Sequence, residues 1–290
     1  MTGRAWVFFI LASVIWGVPY LFIKIAVDGG LSPAFIAWSR ITLAGALLLP
    51  IAIRRKALVG LRERAGAIVG YAASEIALPF VMIAIGEQYV TSSLTAILVA
   101  TMPLMVALLL LRIVPGERLT AGRCIGLLTG FAGVIALLGF DVAGRPMELL
   151  GAALVLLATL GYAIAPIIVS KSLSDLDPLG PVAASLVLAA LALLPAAIAT
   201  WPAHVPGPSA VWSIVVLGVV CTAIGLIVFF RLIAVAGPGR ASVITYVNPL
   251  VAVLVGVGGL GESLGAVSIV GLVLILAGSY ISTRGTTSLE

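Results

Sequence analysis

Ten apolar runs follow one another along the chain, separated by short polar breaks. They lie near Trp6–Val27, Pro33–Ile53, Ala65–Ile85, Thr91–Ile113, Ala121–Phe140, Leu149–Ser170, Leu179–Thr200, Val211–Val235, Ala241–Leu260 and Ala266–Ser282. Crossing a hydrocarbon core ~30 Å thick takes ~20 helical residues, so each run is read as a membrane span. The first run is too long, and too continuous with the repeat it belongs to, for a cleaved signal peptide. A second pattern overlies the first. From Thr95 the chain reads TAILVATMPLMVALLLLRIVPGERL and then GLLTGFAGVIAL; from Ala241 it reads ASVITYVNPLVAVLVGVGGLGESL and then GLVLILAGSYIS. Pro103 falls on Pro249, Gly116-Glu117 on Gly261-Glu262, Gly126 on Gly271 and Gly133 on Gly278. The earlier runs keep the same register, with Leu11-Ala12 on Leu157-Ala158, Trp16 on Tyr162, Ser32-Pro33 on Asp177-Pro178 and Pro50 on Pro195. Self-similarity at half the chain length is an architectural signal. It divides the chain into a five-helix repeat over residues 1–140, a second over 141–284, and a tail at 285–290.

Composition settles the solvent. Hydrophobic residues make up 62% of the 290 and charged residues 9%, against roughly 25% charged in a soluble domain. The net charge of +5 is therefore read loop by loop and not as a nucleic-acid signal. Of the 16 Lys and Arg, 13 fall in loops or helix ends on one side, the largest group being Arg54, Arg55, Lys56, Arg62 and Arg64. Only Lys24 and Arg145 fall on the other side, and Arg40 lies inside a span. The positive-inside rule then puts the basic side and both termini in the cytoplasm. Five is an odd number, so the second repeat enters the membrane from the opposite side to the first. The expected fold is an all-α membrane protein of ten transmembrane helices, arranged as two inverted-topology repeats of five. Such a pair can exchange roles across the midplane, which is how many secondary transporters obtain two openings from one sequence.

At this point the residues resemble a known family. Ten helices as five plus five, Trp16-Gly17 in the first span, Arg40 in the second, the mid-helix Pro103 and Pro249 and the Gly-Glu loops are similar to the drug/metabolite transporter superfamily. More narrowly they resemble its EamA-type ten-helix exporters, over essentially the whole chain. The resemblance implies export of small metabolites, with amino acids, aromatic ones included, as the leading substrate class; the aromatic amino-acid exporter branch is one place for it. The four-helix multidrug relatives carry an acid in the first span. Here that helix has Trp16, Pro19 and Tyr20, so their proton-coupled cation mechanism is not transferred.

Ionisable groups inside hydrocarbon are costly, and each is a functional candidate. Glu75 lies about ten residues, or roughly 15 Å of helix, from either end of the third span. Tyr71, Glu75 and Pro79 recur at i, i+4 and i+8 on one face, where a carboxyl can meet a substrate ammonium, exchange a proton, serve as a structural ion pair or stand as a protonated acid hydrogen-bonded in the bundle. Arg40, about 10 Å inside the second span, can hold a substrate carboxylate, pair with Glu75 or snorkel; Lys24 is expected to snorkel. Trp16, Tyr20, Tyr162, Tyr246 and Asn248 are candidates for lining a substrate pocket, with packing against neighbouring helices the competing reading. Pro103 and Pro249 are candidate hinges. Gly126-x-x-x-Gly130 reads as a helix-packing motif.

Other chemistry is set aside. Gly261-Glu262-Ser263-Leu264-Gly265 fits GxSxG, but a nucleophile elbow follows a strand, and this segment joins two apolar helices. Gly256-x-Gly258-x-x-Gly261 closes a helix in the same way and is no dinucleotide fingerprint. Cys124 and Cys221 have no metal-ligand spacing, His204 is alone, and no Walker A motif occurs, so neither metal, cofactor nor ATP is expected. The expectation is a non-enzymatic secondary transporter in a bacterial inner membrane, working by alternating access through a cavity lined by helices one, three, four, six, eight and nine. Its partners are a small-molecule substrate and the lipid bilayer, with no nucleic acid, and the expected unit is a monomer. Multidrug, nucleoside or sugar export on the same fold is the alternative, with a membrane-embedded hydrolase well behind it.

Overall fold

The computed structural model describes residues 2–113, 120–138, 145–237 and 241–283. Ten apolar helices appear among them, and we number these α1 Gly3–Asp28, α2 Pro33–Arg54, α3 Arg62–Gly86, α4 Ser92–Ile113, α5 Ala121–Ala136, α6 Pro146–Ser172, α7 Leu179–Ala199, α8 Pro208–Ala236, α9 Ile244–Leu260 and α10 Ala266–Ser282. Seven are long and apolar enough to span a membrane by themselves, and α5, α9 and α10 are shorter. Gly116, Glu117, Arg118, Arg240 and the 140/141 boundary lie outside the described residues.

The helix starts follow from local chemistry. Side-chain oxygens of Thr2, Ser32, Thr91 and Thr120 accept from backbone N–H groups three residues on, satisfying donors a first turn leaves open. Pro33, Pro146 and Pro208 stand at or next to the first helical position, where a missing N–H costs nothing. Large side chains such as Ile10, Leu128, Ile135, Leu191 and Leu254 point outward, as lipid contact requires. The buried interior is rich in small residues, among them Ala26, Ala37, Ala44, Ala84, Ala158 and Ala183.

Repeat mates pack against each other, α2 on α7 and α5 on α10. The α5–α10 contact is close. A Cβ on Gly126 would meet the backbone of Gly278 and Ser282, and one on Gly278 would meet that of Gly130. The GxxxG reading thus describes the α5 surface, where small residues let two helix backbones meet.

Irregular backbone gathers at the middle of several spans. In α3 an α-helical start at Ala65–Tyr71 widens to a π-helical stretch at Ala72–Ala77 before resuming at Leu78. Pro79 has no N–H to return to the preceding turn, so the ladder there must shift. α8 has its own π-helical stretch at Val216–Ile224. α1 is interrupted at Val18, before Pro19. α4 breaks at Ala100 and Thr101, immediately before the turn that holds Pro103, whereas Pro249 sits inside an unbroken α9.

The two faces of the molecule differ. On one, the basic face, Arg64 pairs with Asp175 at 3.0 Å. On the opposite face the N-terminal half of α4 packs against α9 and against the C-terminal half of α1. Inverted symmetry would demand matching contacts at the basic face, from α9 to the C-terminal halves of α4 and α6. No comparable packing occurs there among the described residues. Among the described residues, α1 and α9 thus meet α4 at the face away from the basic one and not at the basic face.

Candidate substrate-binding site

The sharpest feature of the interior is Arg40 on α2, only 8% exposed. Its Nε donates to Thr222 Oγ1 at 2.8 Å, and that hydroxyl donates to Leu217 O at 2.8 Å, five residues back along the π stretch of α8. Its Cζ lies 3.8 Å from the centroid of the Phe80 ring on α3. Stacking on an aromatic face is worth ~2 kcal/mol when desolvated, less than a buried, unpaired charge costs. Neither terminal nitrogen bonds to a described residue, and no carboxylate pairs with the guanidinium. Tyr162, Cys221 and Tyr20 lie within its electrostatic reach. Arg40 thus neither snorkels nor pairs with Glu75.

Glu75 lies in the π stretch of α3. It is half-buried, and no hydrogen bond or ion pair among the described residues reaches it. Tyr71 and Tyr162 are its electrostatic neighbours, so Tyr162 lies within reach of both Arg40 and Glu75. Pro79 lies buried where α3 meets α6, and a Cβ on Gly161 would fall against Ser74 O and Pro79. Tyr20 and Tyr162 border one apolar cluster with Leu43 and Met82. Tyr71 and Phe80 border the next, with Leu226 and Phe230.

The remaining candidates make contacts between helices. The indole N–H of Trp16 donates to Cys221 O at 3.1 Å, its ring lies 4.7 Å from that of Phe229, and Gly225 leaves room for it. Trp16 therefore fastens α1 to the π stretch of α8. With its nitrogen turned toward two carbonyls, the Asn248 amide donates to Ser13 O at 3.3 Å and Ile244 O at 3.0 Å, holding α9 to α1 where Gly17 permits a close crossing. Tyr246 meets Tyr280 of α10 edge-to-face at 6.3 Å. Lys24 does not merely snorkel: its Nζ donates to Glu87 O at 3.0 Å and pairs with Asp28 at 3.1 Å. Glu262, from the Gly-Glu loop, accepts from the backbone N–H groups of Ser92 and Ser93 at 2.7 and 2.9 Å, closing the start of α4. Gly261, with φ of 66°, ends helix α9, so Ser263 follows a helix and not a strand.

The structure therefore brings Tyr20, Arg40, Glu75 and Tyr162 together with Tyr71, and adds Phe80 and Thr222, which the sequence alone did not single out. Phe80 is five residues from Glu75, about 140° away on a regular helix.

The EamA-like transporter family model matches the chain twice, at residues 3–139 and 149–284. An uncharacterized transporter of Archaeoglobus fulgidus is 27% identical over 281 residues, 97% of this chain and 99% of the relative. The uncharacterized inner membrane transporter YedA of Escherichia coli is 28% identical over 276 residues, 94% of this chain and 88% of the relative. YvbV of Bacillus subtilis, also an uncharacterized transporter, is 26% identical, over 91% and 86%. A solved crystal structure superposes with a TM-score of 0.68 at 19% identity, covering 98% of both chains; that likeness concerns the fold.

Proposed function

The chain belongs to the EamA-like transporter family, and from that premise we propose that it exports zwitterionic amino acids with apolar or aromatic side chains by alternating access. The observation that carries this reading is the unpaired Arg40 guanidinium and the unpaired Glu75 carboxyl, both within electrostatic reach of Tyr162. A guanidinium with both terminal nitrogens free fits a carboxylate as a two-pronged donor. A carboxyl in the span fits an ammonium. Between them, Tyr20, Tyr71, Phe80 and Tyr162 offer ring surface for the substrate's side chain. A bound zwitterion supplies the guanidinium with a carboxylate and the Glu75 carboxyl with an ammonium that favours its ionised form.

The basic face is assigned to the cytoplasm by the distribution of Lys and Arg, in a bacterial inner membrane with both termini inside. In that orientation the conformation is open inward and closed outward. Substrate enters from the cytoplasm between the parted helix groups. It leaves after α9 and the C-terminal half of α4 close on the inside while the outer packing opens. The two repeats, 1–140 and 141–284, exchange roles in that step.

Counterflow in proteoliposomes tests the reading. Liposomes loaded with unlabelled phenylalanine or leucine should accumulate the labelled amino acid transiently and saturably, and Arg40→Ala should abolish the accumulation. Exchange of nucleosides or organic cations, with none of any amino acid, would overturn it.

A further inference from the structure

Outside the mid-membrane site one buried acid among the described residues remains unused. Glu87 is the first residue past α3, in the turn to α4, and its side chain is wholly inaccessible. Neither carboxyl oxygen has a hydrogen-bond partner. Its neighbours are already committed. Lys24 reaches the backbone carbonyl of Glu87, not its carboxyl, and pairs with Asp28. Glu262 takes the N–H groups of Ser92 and Ser93 and the Ser93 hydroxyl at 2.5 Å.

The ionisable groups facing Glu87 are Lys24, Asp28 and Tyr20 from α1, Arg40 from α2 and Glu262 from the α9–α10 turn; α4 brings the uncharged Ser92 and Ser93. Lys24 and Asp28 neutralise each other. An ionised Glu87 would be an extra negative charge beside Glu262, without a donor. Burial holds its carboxyl well above the usual carboxylate range; Lys24 opposes the rise, Glu262 and Asp28 add to it, and Arg40 opposes it.

We infer that Glu87 is a proton-binding site of the outer gate, taking H⁺ from the external solution onto its carboxylate when α1, α3, α4 and α9 close on that side. The site rests on the proposed carrier function and adds its regulation. Both polar links across this seal, Lys24 to Glu87 O and Glu262 to Ser92 and Ser93, surround the buried carboxyl, so the seal forms around a neutral Glu87. Opening admits water, and the carboxyl returns toward ~4.3. The sign comes from linkage. The sealed state binds the proton more tightly than the open one, so protons favour the seal. The preference is complete at acid pH and is lost as pH rises through the value Glu87 has when sealed. An acidic exterior thus returns the emptied carrier to its inward-open form.

The test uses the full chain, with Cys124 and Cys221 replaced by Ala, and spin labels on Met147→Cys and Ser263→Cys, both exposed positions at the outer face. The distance between the labels should be short at acid pH, with a longer population growing as pH rises. Glu87→Gln should hold the short distance at every pH, and Glu87→Asp should keep a pH response. Asp28→Asn removes a charge that favours the proton and should move the midpoint to lower pH; Lys24→Gln, which removes the cation and keeps an N–H donor for Glu87 O, should move it higher. These opposite shifts decide the matter even if Glu87→Gln fails to fold. An unaltered midpoint in Glu87→Gln, midpoints that ignore both neighbours, or a distance set by sodium at fixed pH would each overturn the inference. Counterflow with equal pH on both sides is read in parallel. Its loss in the labelled background counts against the carrier, whereas its persistence with pH-independent distances counts against Glu87 alone.

Discussion

Arg40 and Glu75 are both unpaired inside the span, yet they are held very differently. Arg40 is fixed from two sides, by Thr222 and by the Phe80 ring, with its two outer nitrogens left to aim at a ligand. Glu75 has no such tether among the described residues. We expect Arg40→Lys to fail as a substitute, because an ammonium offers neither the planar stack nor the two parallel donors. Thr222→Val removes one hydrogen bond to a charged group, worth about 1.5–3 kcal/mol, and should raise the half-saturation concentration of counterflow roughly ten- to a hundredfold. Glu75→Gln separates the two ends of the substrate. It should weaken phenylalanine strongly while leaving inhibition by 3-phenylpropionate, which has no ammonium, nearly unchanged. Equal loss for both compounds would remove Glu75 from the binding site and leave it a structural acid.

The spans show where sequence is a good guide and where it stops. Hydrophobic runs located the helices to within a few residues, because lipid forces every backbone group in a span to find its partner within the helix. The π stretches were not legible. Ala72–Ala77 and Val216–Ile224 are apolar and helical by composition, and only the shifted ladder sets them apart, with Pro79 the single local hint. They nonetheless fall on each other in the repeat register, where Glu75 corresponds to Cys221. Pro103 and Pro249 carry the opposite lesson: equivalent in sequence, they sit beside a broken α4 and within a continuous α9, since a proline permits a break without requiring one. Of the candidate site, the charged residues and the tyrosines could be named from the sequence; Phe80 and Thr222 could not, because their contacts with Arg40 depend on α2 lying between α3 and α8. Both the widened turn and the close helix contact can be tested by substitution. Pro79→Ala restores a donor and should tighten the α3 turn, lowering exchange with little loss of thermal stability. Gly278→Leu should cost more than about 3 kcal/mol by overfilling the α5–α10 contact, seen as a large fall in melting temperature. Gly122→Ala, with open space around it, should leave that temperature unchanged.

A molecule built from inverted halves is obliged to be asymmetric at any instant, since a symmetric one would be open or closed at both ends. Here the asymmetry has a definite address. The N-terminal half of α4, away from the basic face, is packed on α9 and α1 while its C-terminal half is not, and Glu262 adds hydrogen bonds to that contact. Moving to the other state must part the start of α4 from the end of α9. A bridge between those segments should therefore arrest transport without touching the substrate site. Position 256 offers the place: a Cβ there would lie 2.9 Å from Ser92 Oγ, close enough for a disulfide once the Glu262 carboxylate, 2.7 Å away, and the Ser93 hydroxyl give way. Oxidised Ser92→Cys with Gly256→Cys should bind phenylalanine from the basic face and fail to exchange it, and reduction should restore counterflow. A membrane-impermeant maleimide should meanwhile label Ser263→Cys on intact cells and Lys171→Cys only after the membrane is opened. If the oxidised protein exchanges substrate at the reduced rate, the helices pass substrate by some motion other than separation of α4 from α9, and the alternation drawn from the repeat would fail with it.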